Sequence, residues 1–253
     1  MVWSAALLTL VLTVGAVLHA RDVGAQPTDI RDCRPIAEPG SYVLTRNVTA
    51  TADCLVVTAN FVTIDLGGFV ITGAGAAVGI RADIDPSGAG VEGTTVRNGT
   101  ITGFGTGIFV GPGSVVEGVR VSGNGAGIVA TGTVRNNTAV NNRTGIIALG
   151  TVSGNTAQSN LQRGIEVDAN SAVTGNNAAG NGEVGILVDC PSNVIGNTAV
   201  GNDRENLTLQ GAGCVNIDNL APAAIARRAP VPAPVTTEPI DIPRRTGSAP
   251  VQQ

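Results

Sequence analysis

Residues 144–167 read TGIIALGTVSGNTAQSNLQRGIEV, and residues 164–188 read GIEVDANSAVTGNNAAGNGEVGILV. The two segments share one frame: a Gly-Ile step, an aliphatic residue two places on, a Val, a Gly-Asn pair, an Ala and a second Asn. Apolar residues alternate within each, as in Ile165-Glu166-Val167, and period two is the signature of a strand. Neither segment holds the dozen or so helical residues that a crossover between parallel strands uses.

The frame extends in both directions. Gly-Ile recurs as Gly79-Ile80, Gly107-Ile108, Gly127-Ile128, Gly145-Ile146, Gly164-Ile165 and Gly185-Ile186, continued by Asn206-Leu207, with spacings of 28, 20, 18, 19, 21 and 21. The long first interval contains an insertion near Asp83 to Gly93. A second marker keeps the same stride: Val96, Val116, Val134, Val152, Val173 and Val194. About twenty residues hold three short strands and three turns at ~3.3 Å per strand residue. Stacked without helices, such units coil, each turn pairing with its neighbours through parallel strands. The expected fold is all-β: a right-handed parallel β-helix of about seven turns.

In a coil, inward residues stack on their equivalents. One inward column is Ile80, Ile108, Ile128, Ile146, Ile165, Ile186 and Leu207; another is Ala82, Val110, Ala130, Ala148, Val167, Val188 and Leu209. Two asparagine columns mark the turns, Asn124, Asn142, Asn160, Asn181, Asn202 and Asn137, Asn155, Asn176, Asn197, the first with Phe104 ahead of it. Asn tolerates left-handed backbone angles, and stacked amides hydrogen-bond along a column. The composition agrees: 35 glycines in 253 residues, with four Phe, one Tyr and one Trp.

The Val-x-Gly-Asn-Thr-Ala units, with Ser41-Tyr42-Val43-Leu44 and Val62-Thr63-Ile64-Asp65-Leu66-Gly67-Gly68-Phe69 upstream, resemble bacterial exported proteins with right-handed parallel β-helix repeats. That group is similar in fold to pectate lyases and to periplasmic NosD-like proteins. The resemblance covers residues 30 to 220 and implies a fold; its members include lyases, hydrolases, epimerases and adhesins, so it implies no single activity.

The expected organisation is a signal peptide at 1–25, an N-terminal cap at 26–61, the coil with its C-terminal cap at 62–220 and a disordered Pro-rich tail at 221–253. Val2 to Leu18 is an uncharged apolar run, and Val23-Gly24-Ala25 fits a cleavage site, although no Lys or Arg precedes the run. No later segment is expected to span a membrane. The tail holds seven of the 13 prolines and no repeat marker. Four cysteines in an exported chain are expected to pair. Sequence alone permits three pairings. With about seven turns at ~4.8 Å, Cys33 and Cys54 lie ~30 Å from Cys190 and Cys214, beyond disulfide reach. Only Cys33–Cys54 and Cys190–Cys214 remain, one at each end.

The 15 basic residues, all Arg, face 19 acidic ones, so the chain lacks the basic stripe that nucleic acid requires. The only His is His19 and the only Met is Met1. Both precede the expected cleavage site, which leaves copper without imidazole or thioether ligands and removes His-dependent triads. No lyase or hydrolase motif transfers, so no catalytic residue is assigned. The nearest candidate is an acidic cluster, Glu166, Asp168 and Asp189: stacked carboxylates repel unless a cation or proton lies between them, and calcium takes such oxygens. An exposed acidic strand end is the plainer account, and no Arg aligns with the three by position. Asp83 and Asp85 in the insertion form a second acidic pair, read as a polar loop. An outward column, Arg81, Phe109, Val129, Ile147, Glu166, Leu187 and Thr208, contains an apolar contact ridge: Phe109, Val129 and Ile147.

The expectation is an exported, non-catalytic structural or binding module at the cell surface, in the periplasm or outside the cell. Its partner is a polysaccharide or a protein surface, and no cofactor is required. The rival is an enzyme acting on acidic polysaccharide, with Glu166, Asp168 and Asp189 in a calcium site.

Overall fold

The computed structural model describes residues 26–82 and 90–223, and within them the strands pair side by side in parallel. The expected signal peptide, Asp83 and Asp85, and the tail from residue 224 lie outside the described residues.

One turn is plainest where the strands are short. Thr156–Gln158, Ile165–Val167 and Ala172–Thr174 form three sides; Asn177–Ala179, Val184–Asp189 and Asn193–Ile195 repeat them one rung on. We call these the first, second and third faces. Each has its own inward column. The first is narrow, with Ala139, Ala157, Ala178 and Ala199 in register. The third stacks Val116, Val134, Val152, Val173 and Val194. The second stacks Leu55, Ile80, Ile108, Ile128, Ile146, Ile165, Ile186 and Leu207. Ile80 through Ile186 in that file are 0% exposed, and each buried aliphatic side chain contributes about 1.5–3 kcal/mol.

That file makes eight rungs, one more than the markers imply. Residues expected to form an N-terminal cap are already strands of the ladder: Arg34–Ile36 pairs with Leu55–Val57, and Leu55 with Ile80. The Gly-Ile marker fails there because Cys54-Leu55 occupies its place. Cys54 is bonded to Cys33 and Cys190 to Cys214, with Cα separations of 4.4 and 5.0 Å, so each staple ties an end of the coil as expected.

Both asparagine columns are continuous buried ladders. Asn142 accepts at Oδ1 from the amide and the Nδ2 of Asn124, and donates its Nδ2 to the Val121 carbonyl and to Asn160 Oδ1. The same pattern links Asn160, Asn181 and Asn202, and the second ladder runs from Asn137 through Asn155, Asn176 and Asn197. Asn206 and Asn219 close the two ladders. Left-handed backbone is not the reason for these asparagines. Positive φ falls on the residue before each, such as Asn136, Asn141, Ser159 or Gly175. The amide itself is what the ladder requires, because it pairs four times in a dry corner.

Close approach, not positive φ, explains the Gly of the Gly-Ile step. A Cβ on Gly164 would lie 2.6 Å from the Gly185 carbonyl oxygen and 2.6 Å from Asn181 Nδ2. The rungs and the amide ladder leave that corner no room for a side chain.

Candidate functional site

Since inward positions are filled by stacking, any site must be outward. The second face carries the predicted outward column in unbroken register: Arg81, Phe109, Val129, Ile147, Glu166, Leu187 and Thr208. Phe109, Val129 and Ile147 are half-buried on adjacent rungs, and Leu187 is buried. Beside them runs a second outward line in which Thr131 pairs with Leu149 and Asp189 with Gln210. Asp168 stands between Leu149 and Asp189, next to the Val167–Val188 pair. The face therefore divides: the column is aliphatic and aromatic on three rungs, and on the next three it is charged or polar apart from the buried Leu187.

Each half has a depression. Phe109, Val129, Ile147, Leu149 and Asp168 border a shallow groove of about 80 Å³. Arg163, Glu183, Leu187, Arg204, Glu205 and Thr208 border another of about 230 Å³. The walls of both come from successive rungs.

The acidic residues do not meet as a cluster. Glu166 is engaged by Arg163, whose Nη1 lies 2.7 and 2.8 Å from its two carboxylate oxygens. The hydrogen bond to Glu166 holds the Arg163 guanidinium above its ordinary value, against a lowering by burial, and the charges of Glu166 and Glu183 act in the same upward direction. Column alignment finds no arginine for these acids; the bend of the corner before Ile165 swings Arg163 onto Glu166. Asp168 is exposed and Asp189 half-buried on the neighbouring rung. Among the described residues, no three His, Cys, Asp or Glu side chains converge to hold a metal ion.

A further hollow of about 400 Å³ lies where the second face turns into the third, lined by Gly150, Thr151, Asn170, Ser171, Ser192 and Asn193, with Pro191 and Gly213 beside the Cys190–Cys214 bond. Sequence reading passes over it, since its lining is small and polar with no repeat marker. The Ser171 hydroxyl accepts from the Gly150 amide, and that of Ser192 accepts from Ser171 N–H and donates to the Asp189 carbonyl. These hydroxyls serve the stack.

No helix among the described residues is long and apolar enough to cross a membrane. Nothing among curated proteins matches the sequence. Solved structures do match it. The A-module of the mannuronan C-5 epimerase AlgE4 from Azotobacter vinelandii is 17% identical, with TM-score 0.53, over 74% of this chain and 68% of that one. The A-module of mannuronan C-5 epimerase AlgE6 from the same organism is 12% identical, with TM-score 0.46, over 76% and 79%. A variant of the periplasmic alginate epimerase AlgG is 15% identical, with TM-score 0.47, over 69% of this chain and 57% of that one. Identity this low bears on fold alone. The family model described as a right handed beta helix region matches residues 79–221; spanning more than half of the chain and coinciding with the stacked rungs, that match makes this protein a member of the right-handed β-helix family.

Proposed function

We propose that this protein is a non-catalytic binding module of an oxidising, extracytoplasmic compartment, and that its second face holds an extended polymer lying along the coil axis. One observation carries the reading. Phe109, Val129 and Ile147 turn three consecutive outward positions apolar in strict register, where a solvent-facing column ordinarily carries polar side chains. Set ~4.8 Å apart on a rigid stack, they form a pre-organised strip, and little conformational freedom is lost when a polymer settles on it. The disulfides at both ends support the compartment, since such bonds persist where the surroundings are oxidising. The apolar run Val2 to Leu18 followed by Val23-Gly24-Ala25 agrees with export.

The enzyme reading draws less support, because Glu166 is already neutralised by Arg163. Uronate polymers therefore enter as test ligands. Binding of uronate and neutral polysaccharides is measured by affinity electrophoresis for the wild type and for Ile147→Glu. The module reading expects retention on at least one polymer, lost in the variant while its melting temperature is kept. Unsaturated or epimerised uronates after incubation, or a calcium-dependent rise in melting temperature that Asp168→Ala abolishes, would overturn it in favour of the enzyme.

A further inference from the structure

The hollow of about 400 Å³ between the second and third faces exists because three positions there carry little or no side chain. Gly150 and Gly213 stand on its first and last rungs, and Ala172 lies between them, paired with Thr151 on one side and Asn193 on the other. Thr151 and Asn193 are thus two rungs apart, ~9.6 Å, with a single methyl group on the strand between them. The volume falls within the range of small-molecule sites. The Cys190–Cys214 bond ties the rung of Pro191 to that of Gly213, so the walls are held in place before any ligand arrives.

The polar groups around this space are not engaged as the asparagines of the ladders are. The side chains of Thr151, Asn170 and Asn193 make no hydrogen bond among the described residues. The Ser171 hydroxyl, in a residue only 5% exposed, accepts from the Gly150 amide. Its counterpart Ser192 gives its proton to the Asp189 carbonyl, whereas Ser171 donates to no described residue. Two free amides and two hydroxyls therefore border one hollow, each able both to donate and to accept. Among the described residues that line it, none is charged. An ionised ligand would leave water without a partner charge, which is unfavourable. A ligand that matches is uncharged, bears donors and acceptors on several sides, and has a C–H surface for Ala172 and Pro191.

We propose that this hollow binds one neutral sugar ring, at a site separate from the apolar strip of the second face. Asn170, Asn193, Thr151 and Ser171 exchange hydrogen bonds with its hydroxyl groups, and Ala172 and Pro191 take its C–H face.

Saturation-transfer NMR on the full-length chain tests this, with D-glucose, D-galactose and D-mannose as probes and D-glucuronate as their charged counterpart. At least one neutral sugar should bind, and glucuronate at least tenfold more weakly. Asn193→Ala repeats the residue that its column already holds at Ala172, and Asn170→Gly suits the φ of +64°. Both variants should keep the wild-type melting temperature and lose at least tenfold in affinity, as should Thr151→Val. Ile147→Glu, on the second face, should bind the sugar as the wild type does, so that this site and the polymer strip stand or fall separately. Absence of binding by all three neutral sugars overturns the proposal. So does glucuronate binding as tightly as they do, and so does binding that the three hollow variants leave intact or that Ile147→Glu abolishes.

Discussion

Removing one amide from the middle of the ladder tests the account of what holds the corners. Asn142 is 0% exposed. In Asn142→Ala, Asn124 loses the acceptor for both its backbone N–H and its Nδ2, which stood 3.0 Å from Asn142 Oδ1. The Val121 carbonyl also loses a donor. Two orphaned buried donors at about 1–3 kcal/mol each put the loss at about 2–6 kcal/mol, a large part of a typical domain's stability. Asn142→Asp separates geometry from charge. The shape is kept, but an oxygen now faces the Val121 carbonyl and Asn160 Oδ1, and a buried carboxyl in that position retains its proton. Its folded value is raised above the unfolded ~3.9. The folded state then binds the proton more tightly, so stability is greatest below about pH 3.9 and falls as pH rises through the folded value. Denaturant unfolding followed by far-ultraviolet circular dichroism, with disulfides intact, reads both effects. Asn141→Asp is the control: the exposed neighbour undergoes the same chemical change and should stay within about 0.5 kcal/mol of wild type. An alanine variant losing less than about 1 kcal/mol, or an aspartate variant no more pH-sensitive than Asn141→Asp, refutes the ladder as a source of stability.

Gly164→Ala should cost about 1–3 kcal/mol in thermal unfolding, because its Cβ enters the Gly185 carbonyl and the Asn181 amide. Gly175→Asn should be nearly neutral, since φ of +62° suits Asn, which fills the equivalent turn position at Asn136; equal losses at the two sites would contradict the close-approach argument. Reducing the disulfides, which close loops with sequence separations of 21 and 24, removes roughly 3 kcal/mol each in the chain-entropy model. Hydrogen exchange should then lose protection in residues 28–57 and 205–217 before 128–167, and uniform loss would show that the staples do not act on the ends.

The central rungs were legible because one sentence of sequence is repeated: an error in any single residue is corrected by its column-mates. Legibility fails where the repetition does. Cys54-Leu55 stands in for Gly-Ile, so the first rungs look like a cap. Asn206 lies four residues after Asn202, and no count in steps of about twenty finds it, although Asn219, at 22 residues from Asn197, lies within reach of the same count. The Arg163–Glu166 pair depends on how a corner bends, which alternation within a strand does not encode.

The same regularity that discloses the fold conceals the function. In a stack, most residue choices are explained by the rung above and the rung below, so conformity to a column carries no information about a ligand. Departures do. The outward line of the second face departs at Phe109, Val129 and Ile147, where solvent-facing positions turn apolar. The inward line of the third face departs at Asn216, which follows Val194 in register and shares a hydrogen bond with Asn219. The inward lines of the second face depart at Leu207 and Leu209, where burial falls while the residues stay aliphatic. A polar residue at Asn216 finishes its column against water; aliphatic residues at Leu207 and Leu209 do not finish theirs. Within one end of one molecule, then, the third face ends on a polar residue and the second on aliphatic ones, so among the described residues the two faces finish by different chemistry.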